Sequence, residues 1–253
     1  MAILEMRGVS RHYESGANQV LALDGLDLSV EAGEFVAVMG PSGSGKSTLL
    51  AVAGGLDEAS SGEVLIDGRS LAGLGRDQLA ELRRRGVGYV FQDFNLVPIL
   101  SARENVMLPL ELDGARPQQA RAQAEKALCR VGLDALGDRP VEQLSGGQRQ
   151  RVAVARGIVG ERRLLLADEP TGSLDSTTGD EVLSLLRDLA DEGAAVVLVT
   201  HDARHAGWAD RVVFLRDGRL LDSAAAATDV TEAAARVGAL LEGQGQTWTE
   251  GER

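Results

Sequence analysis

Gly40-Pro41-Ser42-Gly43-Ser44-Gly45-Lys46-Ser47, with Thr48 after it, fits the pattern G-x-x-x-x-G-K-[ST] and decides how this chain folds. The apolar run FVAVM precedes it and TLLAVAG follows, so a strand runs into a glycine-rich loop and then a helix. That is the setting the pattern requires. Glycines let the backbone curl until successive N–H groups point at one anion, and the following helix adds its positive end. In such a loop Lys46 reaches the β and γ phosphates of a nucleotide and Ser47 ligates Mg²⁺.

The lysine stands out against its background. Of 26 cations in 253 residues, 24 are arginine, and only Lys46 and Lys126 are lysine. A slim ammonium threads a glycine loop where a planar guanidinium fits badly; Lys126 reads as a solvent-facing helix position. The formal charge of −12, the pI near 4.8 and a total of eight aromatics argue against nucleic acid as a partner, which needs a basic footprint and stacking platforms. Affinity for a phosphate ligand must therefore come from a local nest of N–H groups, Lys46 and Mg²⁺ rather than from the overall field.

At 44 % hydrophobic residues the chain has enough apolar side chains for a sizeable core, and its length fits one large α/β domain or two small ones. No apolar run approaches the ~18–20 residues of a membrane span. Glu5 and Arg7 interrupt what would be the apolar part of a leader in MAILEMRGVSRHY, so the sequence predicts a protein that stays in the cytosol. Cys129, the single cysteine, lies in the helical pattern Ala124, Ala127, Leu128, Val131 and reads as a small buried or half-buried side chain rather than a reactive one.

Strand and helix signals alternate outward from the loop. Residues 26–30, 35–39, 63–66 and 87–91 read as strands, 46–53 as a helix start, and strands resume at 164–167, 194–200 and 212–215. Val182, Leu185, Leu186 and Leu189 mark a helix between the last of these. Residues 96–159 differ: mostly helical, broken by Pro98, Pro109, Pro117 and Pro140, without a convincing strand. The pattern predicts an α/β core split by an α-helical insertion. After Leu221 the chain turns Ala-rich and then polar. Asp229 and Glu232 resemble a helix start, with Val230, Ala233, Val237, Leu240 and Leu241 on a face that docks on the core or on a second copy; the chain from Gly243 reads as frayed.

Leu164-Leu165-Leu166-Ala167-Asp168-Glu169 is a buried-type strand ending in two carboxylates. Neighbouring groups on a strand alternate sides, so they can do different work. Asp168 suits the Mg²⁺ shell and Glu169 suits polarising a water. Residues 194–200 end in His201-Asp202, which puts His201 on the carboxyl edge of the sheet as a donor to the γ phosphate. His205 and His12 read as surface.

Leu144-Ser145-Gly146-Gly147-Gln148, followed by the helix RQRVAVARGIV, stands between the phosphate loop and Asp168. With both motifs in that order, the chain closely resembles the ATP-binding subunits of ABC transporters over about residues 2–222. A serine and two glycines before a helix make a second anion site, which a phosphate-loop protein does not need for its own nucleotide. The resemblance implies that Ser145, Gly146, Gly147 and Gln148 close over the γ phosphate held by the opposite subunit, so that two ATPs are sandwiched in a head-to-tail homodimer. It implies a P-loop NTPase α/β core with an N-terminal antiparallel β region, a helical subdomain inserted at about 96–159, an ATP-binding domain over 1–222 and a tail over 223–253.

Carried over one position at a time, Tyr13 resembles the aromatic that stacks on adenine, with a half-buried strand tyrosine as the alternative. Gln92, after VGYVF, resembles the loop glutamine that touches Mg²⁺ and the attacking water and relays nucleotide state to the helical subdomain. In Ser173-Leu174-Asp175, Asp175 resembles the residue that contacts the opposite phosphate loop. Glu169 is then the general base, His201 the γ-phosphate switch, and Ser47, Gln92 and Asp168 hold Mg²⁺ beside the ATP.

VFQDFNLVPILSARENVMLPL and LLADEPTGSLDS look most like the branch serving lipoprotein release, macrolide or peptide export and cell-division complexes, whose membrane partners have few spans and a large external domain. On that resemblance the chain is a peripheral subunit on the cytoplasmic face of the cell membrane, coupling ATP-driven dimerisation to export or mechanotransmission. Leu96, Val97, Ile99 and Leu100, within residues 94–110, look exposed and read as a groove for a partner's coupling helix or as ordinary subdomain core. A soluble ABC ATPase without a permease, of the iron–sulfur-assembly type, shares every motif and stands as the alternative. A single cassette argues against tandem translation-type relatives. The helical stretch of about 65 residues is too short for a DNA-repair coiled coil, and a small-molecule kinase would lack LSGGQ.

Overall fold

Two sheets share the strands of the computed structural model, which describes residues 1–15, 18–172 and 174–225. β1 (Ala2–Ser15), β2 (Asn18–Glu31), β4 (Ser61–Ile66) and the two-residue β5 (Arg69–Ser70) form an antiparallel sheet in the order β2-β1-β4-β5. β3 (Phe35–Met39), β6 (Val87–Val90), β7 (Leu164–Asp168), β8 (Ala195–Val199), β9 (Arg211–Arg216) and β10 (Arg219–Ala225) form the second, in the order β10-β9-β3-β8-β7-β6. This sheet is parallel except for the β9–β10 hairpin.

The period-2 geometry of a strand sends alternate side chains to opposite faces, and the central sheet uses both. Phe35, Ala37, Leu165, Ala167, Val196 and Leu198 join one core. Their neighbours Val36, Val38, Leu164, Leu166, Val197 and Val199 join the other, together with Ile3, Leu4 and Leu26 of the antiparallel sheet. This explains why these strands read as unbroken apolar runs rather than alternating ones. α1 (Lys46–Ala53) places Leu49, Leu50, Val52 and Ala53 in the second core, between the sheets.

The helical stretch carries α3 (Ala102–Leu112), α4 (Pro117–Arg130) and α5 (Gly146–Ile158), after α2 (Arg76–Gly86). Ser101 caps α3, its hydroxyl accepting from the Glu104 amide at 3.3 Å while Glu104 accepts from the Ser101 amide at 2.8 Å. Pro117 opens α4, where its missing N–H costs nothing; Pro109, expected to interrupt, lies inside α3. The insertion does not build a core of its own: Ala102, Val106, Ala124 and Leu128 pack in the same cluster as Phe35 and Leu165. α6 (Ser176–Asp191) and the short α7 (Ala203–Ala206) follow β7 and β8.

Cys129 departs from expectation, for it is exposed. The buried face of α4 runs through Ala120, Ala124, Ala127 and Leu128, and the next residue turns about 100° away from it. Lys126 is exposed, as read. No helix among the described residues is long and apolar enough to cross a membrane. The helix expected from Asp229 and the frayed tail from Gly243 lie outside the described residues, as does Ser173.

α5 meets β6 backbone to backbone. A β-carbon on Gly88 would lie 2.1 Å from the Gly157 carbonyl oxygen, and one on Gly157 would lie 3.0 Å from the carbonyl oxygen of Tyr89. Gly88→Ala should therefore lose about 1–3 kcal/mol through overpacking against an unyielding backbone. Urea unfolding should show a lower midpoint at unchanged slope, and an unchanged midpoint would contradict this packing.

Candidate functional site

β3 delivers the phosphate loop into a space that admits no side chain. A β-carbon on Gly40 would sit 2.1 Å from the Leu215 carbonyl oxygen and 2.9 Å from Ser44 Oγ; one on Gly45, at φ +104°, would sit 2.3 Å from the Ala22 carbonyl oxygen. Gly43 has φ +80°. Only glycine satisfies those positions. The buried hydroxyl of Ser44 has no hydrogen-bond partner among the described residues. Lys46 folds back over the loop, its Nζ donating to the carbonyls of Gly40 at 2.8 Å and Pro41 at 2.9 Å. Burial lowers its pKa, against the pull of Glu169 and Asp168 in the other direction.

Parallel pairing brings the carboxyl ends of β3, β6, β7 and β8 to one edge, where ligands bind in such sheets. Asp168 closes β7 beside Ser47 and Lys46 of the loop. Burial raises its pKa, with Ser47 and Lys46 lowering it and Glu169 raising it further. Glu169 leaves the strand in the left-handed region, at φ +46°. Its Oε1 accepts from the His201 amide at 2.9 Å and lies 2.6 Å from His201 Nδ1. The Glu169 side chain is 13 % exposed and that of His201 78 %, so the histidine caps the carboxylate from outside.

A cleft of about 1050 Å³ takes in the loop residues Gly40, Pro41, Ser42, Gly43, Gly45, Lys46, Ser47 and Thr48, together with Gln92, Asp168, Glu169, His201 and Tyr13. Ser44 lies buried behind it. Tyr13 arrives from the antiparallel sheet, with its hydroxyl donating to Asp57 Oδ2 at 2.7 Å and the Arg11 guanidinium 4.5 Å from its ring centroid. Arg11 also pairs with Asp57 at 2.8 Å. These two supports were not read from the sequence: Arg11 shares a strand face with Tyr13, a visible cue, but Asp57 had none. Asp93 and Phe94 line the cleft and were also missed.

Ser145, Gly146, Gly147, Gln148 and Asp175 do not line the cleft of their own chain. Ser145 caps α5 in a capping box with Gln148, at 3.2 and 2.9 Å, and Gly146 and Gly147 form the first turn of that helix. Asp175 caps α6, accepting from the Thr178 amide at 3.0 Å, which holds its carboxyl below the ordinary range.

Two surface readings are corrected. His205 is half-buried, since α7 turns it against the segment after β7, where its Nδ1 lies 3.1 Å from Thr171 Oγ1. Of the four residues read as exposed between 96 and 100, only Ile99 is, at 90 %. The buried Asn105 draws the others in: its Oδ1 accepts from the Val97 amide at 2.8 Å and its Nδ2 donates to the Val97 and Ser101 carbonyls.

A family model described as "ABC transporter" matches residues 23–172. The chain belongs to the ABC transporter family. Its fold is that of the family's ATPase cassette: the dimeric structure of MJ0796, a bacterial ABC transporter cassette, superposes with TM-score 0.85 and 40 % identity, over 89 % of this chain and 100 % of that one. The same cassette is known in a post-hydrolysis state bound to ADP and Pi. A macrolide export ATP-binding/permease protein, MacB 1/2 of Paracoccus denitrificans, is 50 % identical over 87 % of this chain and 33 % of its own length. The pyoverdine export ATP-binding/permease protein PvdT of Pseudomonas fluorescens is 45 % identical over 94 % of this chain and 36 % of its own. The chain thus spans about a third of the length of the curated relatives it matches.

The raised pKa of Asp168 has a consequence for the cassette's stability. A carboxyl whose folded pKa lies above its unfolded value stabilises the fold when protonated and loses that contribution as pH rises through the folded pKa. At neutral pH the ionised group therefore costs stability, so Asp168→Asn should raise the melting temperature of the nucleotide-free protein. Calorimetry showing a lowered melting temperature would contradict this account.

Proposed function

We propose that this chain binds and hydrolyses ATP as a head-to-tail homodimer on the cytoplasmic face of the cell membrane, coupling dimer closure to the motion of a permease partner. The observation that carries the reading is a division of labour within one chain. Loop, carboxylates and histidine share a cleft, whereas the second anion site at the head of α5 lies apart from it. A helix N-terminus led by Ser145 and two glycines suits a phosphate, and the nucleotide available to it is the one held by a second copy. The similarity to a dimeric cassette supports this. Residues 1–222 would form the ATP-binding unit, with the helical subdomain at about 96–159.

The residues fit ATP and Mg²⁺. Gly40 and Gly45 leave a cradle that a β-carbon would fill, and Ser44 brings a buried unsatisfied hydroxyl to it. Ser47, Gln92 and Asp168 would hold Mg²⁺, a hydroxyl, an amide and a single carboxylate being a donor set that suits a cation sharing its shell with phosphate and water. Bound there, the metal neutralises charge on the β and γ phosphates.

The chain's own groups do the rest. Lys46 exchanges the carbonyls of Gly40 and Pro41 for phosphate oxygens. Tyr13, backed by Arg11, offers its ring to the base. His201 turns from Glu169 to the γ phosphate, freeing Oε1 to orient a water for in-line attack. Ser145, Gly147 and Asp175 meet the second copy's nucleotide, and release of ADP and phosphate lets the dimer open.

The relatives named above are export ATP-binding/permease proteins, which favours a permease-coupled role over a soluble ATPase; a partner with few spans and a large external domain rests on the sequence resemblance alone. Substrate choice belongs to that partner, and export or mechanotransmission follows from it.

Two variants separate binding from chemistry. Glu169→Gln should keep ATP affinity, accumulate a dimer on gel filtration with ATP, and slow turnover by roughly 10²–10⁴-fold; a normal rate would remove Glu169 as the base. Lys46→Ala should lose affinity for a fluorescent ATP analogue, and unchanged binding would count against the phosphate-loop reading.

A further inference from the structure

The loop after Gln92 is strained and held from one side. Phe94 and Asn95 have φ of +60° and +48°. Asparagine tolerates that region, whereas phenylalanine rarely enters it. The Asn95 amide donates to the Asp93 carbonyl at 2.6 Å, closing a three-residue turn about Phe94, and a positive φ at the centre of such a turn marks its strained form. The Phe94 amide reaches back to the Phe91 carbonyl at 3.3 Å. Backbone of this kind persists where its surroundings enforce it, and it gathers at functional sites. Gln92, Asp93 and Phe94 all line the nucleotide cleft.

The enforcement comes from α5. Arg156 donates through Nη2 to the Phe94 carbonyl at 2.7 Å and through Nη1 to the Asn95 carbonyl at 2.5 Å. Arg149, seven residues earlier, sets its guanidinium 5.9 Å from the centroid of the Phe94 ring. Seven residues are two helical turns, so both arginines act from one face. Arg156 is half-buried, and burial lowers its pKa. No carboxylate among the described residues lies within ion-pair distance of it. A guanidinium drawn from water with only peptide carbonyls to answer it is costly to maintain, and the two carbonyls it grips belong to the strained turn. The same helix carries Ser145 as its cap and rests Gly157 on the backbone of β6, the strand leading to Gln92.

We propose that Arg156, assisted by Arg149, is a positioning residue that clamps the 92–95 loop to α5 and sets where Gln92 stands in the cleft. The signature end of α5 and Gln92 then move as one body: a rotation of the helix against the second copy's nucleotide carries the loop with it. The inference rests on the reading of Gln92 as a cleft residue, and a double-mutant cycle on ATP hydrolysis by the full chain tests the two separately.

Gln92→Ala should lower kcat by about 10–100-fold, and Arg156→Met by a similar factor, the scale of a misplaced active-site group. ATP affinity measured without Mg²⁺ should stay within about twofold of wild type for both, since the phosphate loop is untouched. The double mutant should be no slower than Gln92→Ala, because Arg156 acts through Gln92. Arg156→Lys keeps the charge but is one atom shorter and lacks the planar fork that meets the Phe94 and Asn95 carbonyls together; it should show the same loss, and it carries the cycle if the methionine variant fails to fold by circular dichroism. A wild-type rate for Gln92→Ala overturns the role given to Gln92. A slow Gln92→Ala with fully additive losses in the double mutant, or a wild-type rate for Arg156→Lys, overturns the clamp and leaves the role of Gln92 standing.

Discussion

Backbone pressed against backbone at the phosphate loop is the constraint from which the rest of the site follows. The β-carbon positions of Gly40 and Gly45 fall 2.1 and 2.3 Å from the carbonyl oxygens of Leu215, on β9, and Ala22, on β2. The loop is thereby wedged between the two sheets. The turn joining β9 and β10 completes the wedge: the Gly218 amide donates to the Ser44 carbonyl at 3.1 Å, and the Gly218 carbonyl accepts from the Asp24 amide at 2.9 Å. With the loop so held, its N–H groups need no rearrangement to meet phosphate, and such preorganised dipoles give a site its electrostatic power. This fits a chain of net charge −12, whose overall field repels the anion that its local nest must attract.

Charges around the loop are kept in tension by burial. Desolvation pushes the pKa of Lys46 down and that of Asp168 up, while each favours the ionised form of the other. Glu169 and His201 hold one another at 2.6 Å across the same edge. Lys46 is held by two carbonyls and His201 by a carboxylate, so the proposed mechanism asks each to give up a protein partner, which would link chemistry to conformational change.

The helical insertion belongs to this mechanical picture because it shares the core of the central sheet. Ala102, Val106 and Leu128 pack with Phe35 and Leu165, and α5 touches β6 through glycine backbones. So close a backbone approach transmits displacement with little slack, since packed interiors do not deform continuously. The insertion is in this sense a lever resting on the sheet that carries the carboxylates.

The sequence by itself determined the strand–loop–helix unit around Lys46, whose bounds Phe35–Met39 and Lys46–Ala53 match their reading, and the buried strands read at 164–167 and 194–200, which the fold bounds as Leu164–Asp168 and Ala195–Val199. These are local: glycine spacing and apolar runs act within a few residues and leave a mark in the order of letters. Tertiary structure alone decided which distant groups meet. Asp57 reaches Tyr13 across 44 positions, Arg156 grips Phe94 across 62, and the Asn105 side chain draws in the apolar residues that looked exposed. The burial of His205 and the exposure of Cys129 turned on rotations of a single residue about a helix axis, relative to packing that no local pattern encodes. Hydrogen bonds and close contacts between remote segments depend on how the sheets stack, and that is fixed by the summed burial of the whole chain rather than by any stretch of it.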